Sequence, residues 1–249
     1  MRPWPYPLWI AHRGAGKLAP ENTLAAFRVG ARHGYRAFEC DVKLSADGVP
    51  FLLHDATLQR TTSGSGIAGE LRWNELARLD AGSWHSHAYD GESVPSLEAI
   101  AHYVVHNRFA LNIEVKPTPG AEQETGEVVA REAARLWNGA SLLPLLSSFS
   151  ATALAAARAT EESLPRALLL DGLRDGWLDE ARALACVAVV ANHASLDTKV
   201  IAQIHAADMH ALSYTVNDRT VARRLLAEGV AGLITDAVDL FSPNASFSD

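Results

Sequence analysis

The stretch ECDVKLSADGVPFLLHD (39–55) raises a chemical question before any structural one. Glu39, Asp41 and Lys43 alternate with Phe38, Cys40 and Val42, so a strand here points charge one way and apolar side chains the other. The stretch ends in His54-Asp55, after a short apolar run that follows an Asp47-Gly48 turn signal. Upstream stand His12 and Arg13 in IAHRG; downstream, Glu114 and Lys116 share a two-residue period with Asn112 in LNIEVK. Three carboxylates converging on one place repel unless a cation sits among them, and all-oxygen ligation suits Mg²⁺ or Ca²⁺. Arg13 and Lys116 add fixed positive charge of the kind that holds phosphate oxygens. Two histidines beside a hard metal and a phosphate suggest an acid–base pair for phosphoryl transfer.

The surrounding pattern supplies elements able to position these groups. Apolar, β-branched runs at 8–12, 37–42, 109–116, 142–147, 166–170, 187–191, 212–216 and 232–235 read as strands. Alanine-rich amphipathic stretches at about 22–33, 96–107, 121–138, 151–160, 175–185, 196–207 and 218–228 read as helices. Gly34, Gly139 and Gly229 mark helix ends, and Ser96 and Ser150 mark helix starts. Eight strands separated by helices predict an α/β fold, a (β/α)8 TIM barrel over 1–249. An open doubly wound sheet is the alternative, but no GxGxxG or Walker loop follows any strand. In barrel enzymes the C-terminal strand ends build the active site, and that rule collects His12, Arg13, Glu39, Asp41, Glu114 and Lys116.

Two features interrupt the repeat. The run at 49–54 follows its predecessor too closely for a parallel crossover, so the Asp-Gly signal implies an antiparallel hairpin. A two-residue turn pairs Ala46 with Val49 and sets Asp41 opposite His54. The second feature is the segment at about 56–95, rich in Gly, Ser and Thr, with one short helix expected near 73–79. A connection this long within a compact domain is usually functional, and it reads as an inserted cap or lid.

Composition narrows the function classes. The 249 residues are 48% hydrophobic, enough for a substantial core, and a formal net charge of −7 argues against a nucleic-acid or anionic-membrane surface. No apolar run approaches the roughly 18 residues of a membrane span, and the N-terminal run is short and broken by prolines. The two cysteines, Cys40 and Cys186, form no disulfide framework or zinc motif, and read as buried small hydrophobes. These features point to a cytoplasmic protein acting on a small molecule, without stable membrane association; subunit number is not legible.

The motifs resemble, in order, those of the glycerophosphodiester phosphodiesterases, in the barrel superfamily that includes phosphatidylinositol-specific phospholipases C. They are HRG and PENT (12–14, 20–23), ECDV (39–42), ADG then HD (46–48, 54–55), RTTSGSG (60–66), NIEVK (112–116) and YTVN (214–217), with GVAGLITD (229–236) resembling the last strand. The resemblance implies that Glu39, Asp41 and Glu114 bind one divalent cation, that His12 and His54 act as general acid and base, and that Arg13 and Lys116 hold the phosphate. It implies hydrolysis of glycerophosphodiesters to sn-glycerol 3-phosphate and an alcohol, with 56–95 covering the glycerol side. Glu21 and Asp55 are expected to support these groups, and Phe149 and Tyr214 to line the pocket. Tyr214 departs from the tryptophan common there, and Ala237 from a frequent proline. The same centre would serve a lysophospholipase D or a phosphoinositide phosphodiesterase; a non-catalytic phosphodiester-binding barrel should show damage in the histidine or carboxylate set, and none is seen.

Plainer readings account for the remaining polar residues. Glu21 and Asn22 are placed as caps of the first helix. His102 and His106 stand at i, i+4 without a zinc-protease partner and read as a surface stripe. His85 and His87 lie in the insertion, where they could line the cleft but are expected in solvent, while His193 follows a strand from which it could reach the mouth. Ser147 and Ser148 lack a nucleophile elbow. Trp84 and Tyr89 fit lid packing or the pocket.

Overall fold

A computed structural model describes residues 3–243. Its strands are β1 (Trp9–Ala11), β2 (Ala37–Leu44), β3 (Pro50–Leu52), β4 (Ala110–Val115), β5 (Leu145–Ser148), β6 (Arg166–Leu170), β7 (Ala188–Asn192), β8 (His210–Tyr214) and β9 (Gly232–Thr235). Its helices are α1 (Leu24–Arg32), α2 (Trp73–Leu76), α3 (Leu97–His106), α4 (Glu122–Leu136), α5 (Ala151–Thr160), α6 (Trp177–Ala183), α7 (Thr198–Ala206) and α8 (Arg219–Ala227). All strands except β3 run parallel in the order β1-β9-β8-β7-β6-β5-β4-β2, and β1 pairs with β2 to close the ring. This is the (β/α)8 barrel that the alternating pattern predicts. β8 begins two residues earlier than the pattern suggests, at His210.

The barrel is filled rather than hollow. Ile10, Ala110, Leu169, Val190, Leu212 and Ile234 belong to the apolar cluster inside the ring. Alternate residues of the same strands, such as Phe38, Ile113, Leu168 and Val189, join the larger cluster under the helices. In β2 that alternation sends Phe38, Cys40 and Val42 outward under the helices and Glu39 and Asp41 inward, all of them buried. Lys43 is buried as well, with Nζ donating to the Lys116 carbonyl oxygen at 3.0 Å. Cys40 and Cys186 are free and buried.

β2 is longer than its neighbours, and its far end is finished by the hairpin. β1 pairs with β2 at Phe38, while β3 pairs antiparallel with Val42, Lys43 and Leu44. The register is Val42↔Leu52, so Asp41 lies opposite Leu53, not His54. The turn has three residues rather than two: Ser45 N–H donates to the Val49 carbonyl at 3.1 Å, and Gly48 takes the left-handed conformation at φ 76°. A three-residue turn closing on a left-handed glycine shifts every cross-strand pair by one. His54 therefore arrives at the site from the segment after β3, not from a paired strand position.

Residues 56–95 fold upon themselves. Isolated bridges Thr57↔Ile67 and Asp80↔Ser93 pin the segment, and α2 occupies four residues within it. Leu58, Ala68, Leu76, Ala81 and Val94 bury against Phe51 and Leu53 of the hairpin in a small core separate from the barrel's. The segment is thus held by its own packing against the strand that precedes His54.

Candidate active site

Adjacent strands deliver the carboxylates in register. β2 pairs with β4 so that Glu39 faces Asn112 and Asp41 faces Glu114. One carboxylate oxygen from each of Glu39, Asp41 and Glu114 lies within 4.8 Å of the others, the only such group of metal-ligating side chains among the described residues. The Arg13 backbone N–H donates to Glu39 Oε2 at 3.0 Å. Asn22 clamps Asp41 twice: its Nδ2 donates to Oδ2 at 2.8 Å, and its Oδ1 accepts from the Asp41 backbone N–H at 3.1 Å. To do so Asn22 is buried at φ 58°, a conformation asparagine tolerates better than most residues. The cap of α1 is instead Thr23, whose hydroxyl accepts from Ala26 N–H. The expected capping role of Glu21 and Asn22 is therefore corrected: both side chains turn to the site, because Thr23 already satisfies the helix end.

The cations complete an electrostatic network. Lys116 Nζ stands 3.2 Å from Asp41 Oδ1 and 2.9 Å from Glu114 Oε1, while Arg13 Nε stands 3.3 Å from Asp41 Oδ2. Burial alone would raise the Asp41 carboxyl, but the charges of Arg13 and Lys116 outweigh it and hold the group well below the usual carboxylate range. Glu39 goes the other way, pushed well above that range by burial and then by the charges of Asp41 and Glu114. Burial and Asp41 likewise push Glu114 up to about 7, against the pull of Lys116. Glu39 Oε1 is buried without a hydrogen-bond partner. A divalent cation fits this set: it would give that oxygen a partner, accept all-oxygen ligation and relieve the mutual repulsion of the carboxylates.

Each histidine is oriented by a carboxylate. His12 Nδ1 lies 2.6 Å from Asp236 Oδ1, and Asp236 is held in turn by Asn217 Nδ2 at 3.2 Å. His54 Nδ1 lies 2.7 Å from Asp55 Oδ1. A carboxylate at Nδ1 holds the proton there and leaves Nε2 of each ring for chemistry. His12 Nε2 faces Glu39 Oε2 at 3.7 Å. Burial lowers the His54 pKa, opposed by the Asp41 charge and assisted by Arg13.

His12, Arg13, His54, Lys116, Phe149 and Tyr214 are among the residues lining a cavity of about 130 Å³ at the C-terminal end of the barrel. Phe149 packs edge-on to Tyr214 with ring centroids 6.0 Å apart, and Lys116 Nζ lies 5.9 Å from the Phe149 centroid. A neighbouring cleft of about 370 Å³ shares His12 and Arg13 and adds Glu21, Asp236, Trp84 and His85. Trp84 and His85 come from the 56–95 segment; His85 Nε2 is fixed by the Lys17 carbonyl oxygen at 3.1 Å. Tyr89 stays outside both, its hydroxyl 3.4 Å from the Leu18 carbonyl. A larger cavity, about 670 Å³, lies at the opposite end of the barrel near Trp4, Tyr6 and His210.

The remaining polar residues take no part. His102, His106 and His87 are exposed, and His193 lines neither cavity at the mouth. Ser148 donates to the Val115 carbonyl, and Ser147 is fully buried. Residue-level reasoning missed Asp236, Asn217, Asn22 and Arg60. Asp236 and Asn217 follow the last two strands, where the strand-end rule is the signal that finds them. Arg60 sits in the inserted segment, where no periodicity signals it.

Comparison with known proteins identifies the family. The model of the glycerophosphoryl diester phosphodiesterase family matches residues 12–240. The chain belongs to that family. YhdW of Bacillus subtilis strain 168 is 34% identical over 237 residues, covering 92% of this chain and 94% of its own. The glycerophosphodiester phosphodiesterase of Caldanaerobacter subterraneus subsp. tengcongensis is 29% identical, covering 92% of this chain and 93% of its own. Among solved structures, an Oleispira antarctica phosphodiesterase in complex with the product sn-glycerol-3-phosphate superposes with a TM-score of 0.87 at 32% identity, over 94% of this chain and 95% of that one. No helix among the described residues is long and apolar enough to cross a membrane.

Proposed function

We propose that this phosphodiesterase hydrolyses glycerophosphodiesters to sn-glycerol 3-phosphate and an alcohol, with one divalent cation and two histidines. The observation that carries the reading is the convergence of three buried carboxylates with two imidazoles, each oriented by its own carboxylate, on one barrel mouth. Glu39, Asp41 and Glu114 would hold Mg²⁺ or Ca²⁺, which supplies Lewis-acid polarisation of a phosphoryl oxygen when bound. Arg13 and Lys116 stand beside the same carboxylates and neutralise the phosphate.

The two rings take opposite proton-transfer roles. Burial favours the neutral form of His54, whose Nε2 then removes the proton from the nucleophile. His12 is turned by Asp236 at Nδ1, which leaves Nε2 on the site side to give a proton to the leaving alkoxide. Each such residue is worth about 10²–10⁴-fold. Enzymatic accelerations run from about 10⁶ to 10¹⁷-fold, with phosphate esters at or above the upper end, so charge stabilisation must supply much of the remainder.

Product identity tests this reading. Purified protein incubated with glycerophosphocholine should release sn-glycerol 3-phosphate and choline. Release of choline from lysophosphatidylcholine alone would move the substrate class to lysophospholipids, and binding without turnover of either would reduce the site to phosphodiester recognition.

A further inference from the structure

We infer that Arg60, from the inserted segment, is a positioning residue that fixes His54 and Arg13 together. The inference rests on the proposed roles of those two residues. Arg60 Nε donates to Asp55 Oδ2 at 2.6 Å and Nη2 to Asp55 Oδ1 at 3.0 Å. The other edge of the guanidinium serves Glu21, with Nη1 at 2.8 Å from Oε2 and Nη2 at 2.8 Å from Oε1. Each carboxylate passes the constraint inward through a shared oxygen. Asp55 Oδ1 also meets His54 Nδ1 at 2.7 Å, and Glu21 Oε1 also accepts from Arg13 Nη1 at 2.8 Å. One planar group thereby links the imidazole to the guanidinium expected on the phosphate.

An exposed ion pair normally contributes little, and the Arg60 side chain is 44% exposed. Two features set this one apart. Both contacts are bidentate, which fixes direction as well as distance, and both carboxylates are already committed to a site residue. A lysine in its place would offer a point charge and could not serve both forks. Arg60 lies in a segment with its own small core, so the packing of 56–95 is what holds the guanidinium where both carboxylates reach it. The segment's contribution to the site is then structural order behind two site residues, besides any cover it gives the cleft.

The test compares Arg60→Ala and Arg60→Lys with His54→Ala and Arg13→Ala, each at saturating metal on glycerophosphocholine. Arg60→Ala should lose about 10–100-fold in kcat/KM, the range found when a residue supporting a site from behind is removed. Arg60→Lys should recover only a small part of that loss. Added guanidinium ion should restore part of the activity of Arg60→Ala, and sodium at equal ionic strength should not. In ¹⁵N-histidine spectra the His54 ring, assigned by its disappearance in His54→Ala, should be the Nδ1–H tautomer in the wild type and a mixture in Arg60→Ala. Wild-type turnover in Arg60→Ala beside an inactive His54→Ala would overturn the role of Arg60 alone. So would a loss that guanidinium does not relieve and that leaves the His54 tautomer unchanged. An active His54→Ala would instead remove the reading beneath it.

Discussion

His12 and His54 are each oriented through Nδ1 by a carboxylate, but by different routes: one ring is turned by Asp236 from beyond the last strand, the other by its own sequence neighbour Asp55. Replacing either histidine with alanine should lower turnover by at least about 10²-fold, with an unchanged far-UV circular dichroism spectrum. Asp236→Asn keeps the size but removes the charge that fixes the His12 tautomer; a triad aspartate altered this way elsewhere costs on the order of 10⁴-fold, and at least about 10-fold is expected here. The His54 ring gives a pH signature. Its charged form is disfavoured by burial, so its NMR titration midpoint should fall below the ordinary value of about 6.5. As pH falls, the neutral ring therefore persists past that value, and kcat/KM should hold through it before dropping. A midpoint above 6.5, or activity already lost there, would take the proton-accepting role away from His54.

Turns and short connections set the geometry that these residues need. Gly16, at φ 56°, follows β1, and a Cβ there would lie 2.1 Å from the Asp236 carbonyl oxygen. Gly16→Ala should cost about 1–3 kcal/mol from overpacking and backbone strain, and lower activity as Asp236 shifts from His12. Wild-type melting temperature and turnover in that variant would show that the loop gives way. At this scale the sequence was readable where period decided the answer and misleading where turn length did. The alternation in β2 and β4 puts Glu39, Asp41 and Glu114 on one inward face, because a two-residue period admits only two faces. The Asp47-Gly48 signal suited a two-residue or a three-residue turn equally, and the one actually formed shifted the hairpin by one residue. Asn22 looked like a helix cap because its chemistry suits one; only the fold shows that Thr23 takes the cap and frees Asn22 for Asp41.

The barrel as a whole does what no single element does, closing β1 onto β9 so that residues more than two hundred positions apart share a hydrogen bond, as His12 and Asp236 do. Such closure leaves no local trace in the sequence, so the alternating pattern reveals the architecture but not the pairing of Asp236 with His12. The pairing of β2 with β4 packs their carboxylates against one another, so cation binding should stabilise the entire molecule. A ligand at 100 times its Kd adds about 2.7 kcal/mol, which at about 2–4 °C per kcal/mol for a chain this size is a melting-temperature rise of several degrees. Mg²⁺ or Ca²⁺ should produce that rise in the wild type and not in Glu114→Ala, read by differential scanning calorimetry. Metal-dependent hydrolysis is checked by following sn-glycerol 3-phosphate release from glycerophosphocholine by EDTA-treated enzyme, before and after Mg²⁺ or Ca²⁺ is restored. Product formation should vanish on chelation and return with the metal; undiminished release from the chelated enzyme would contradict the three-carboxylate centre.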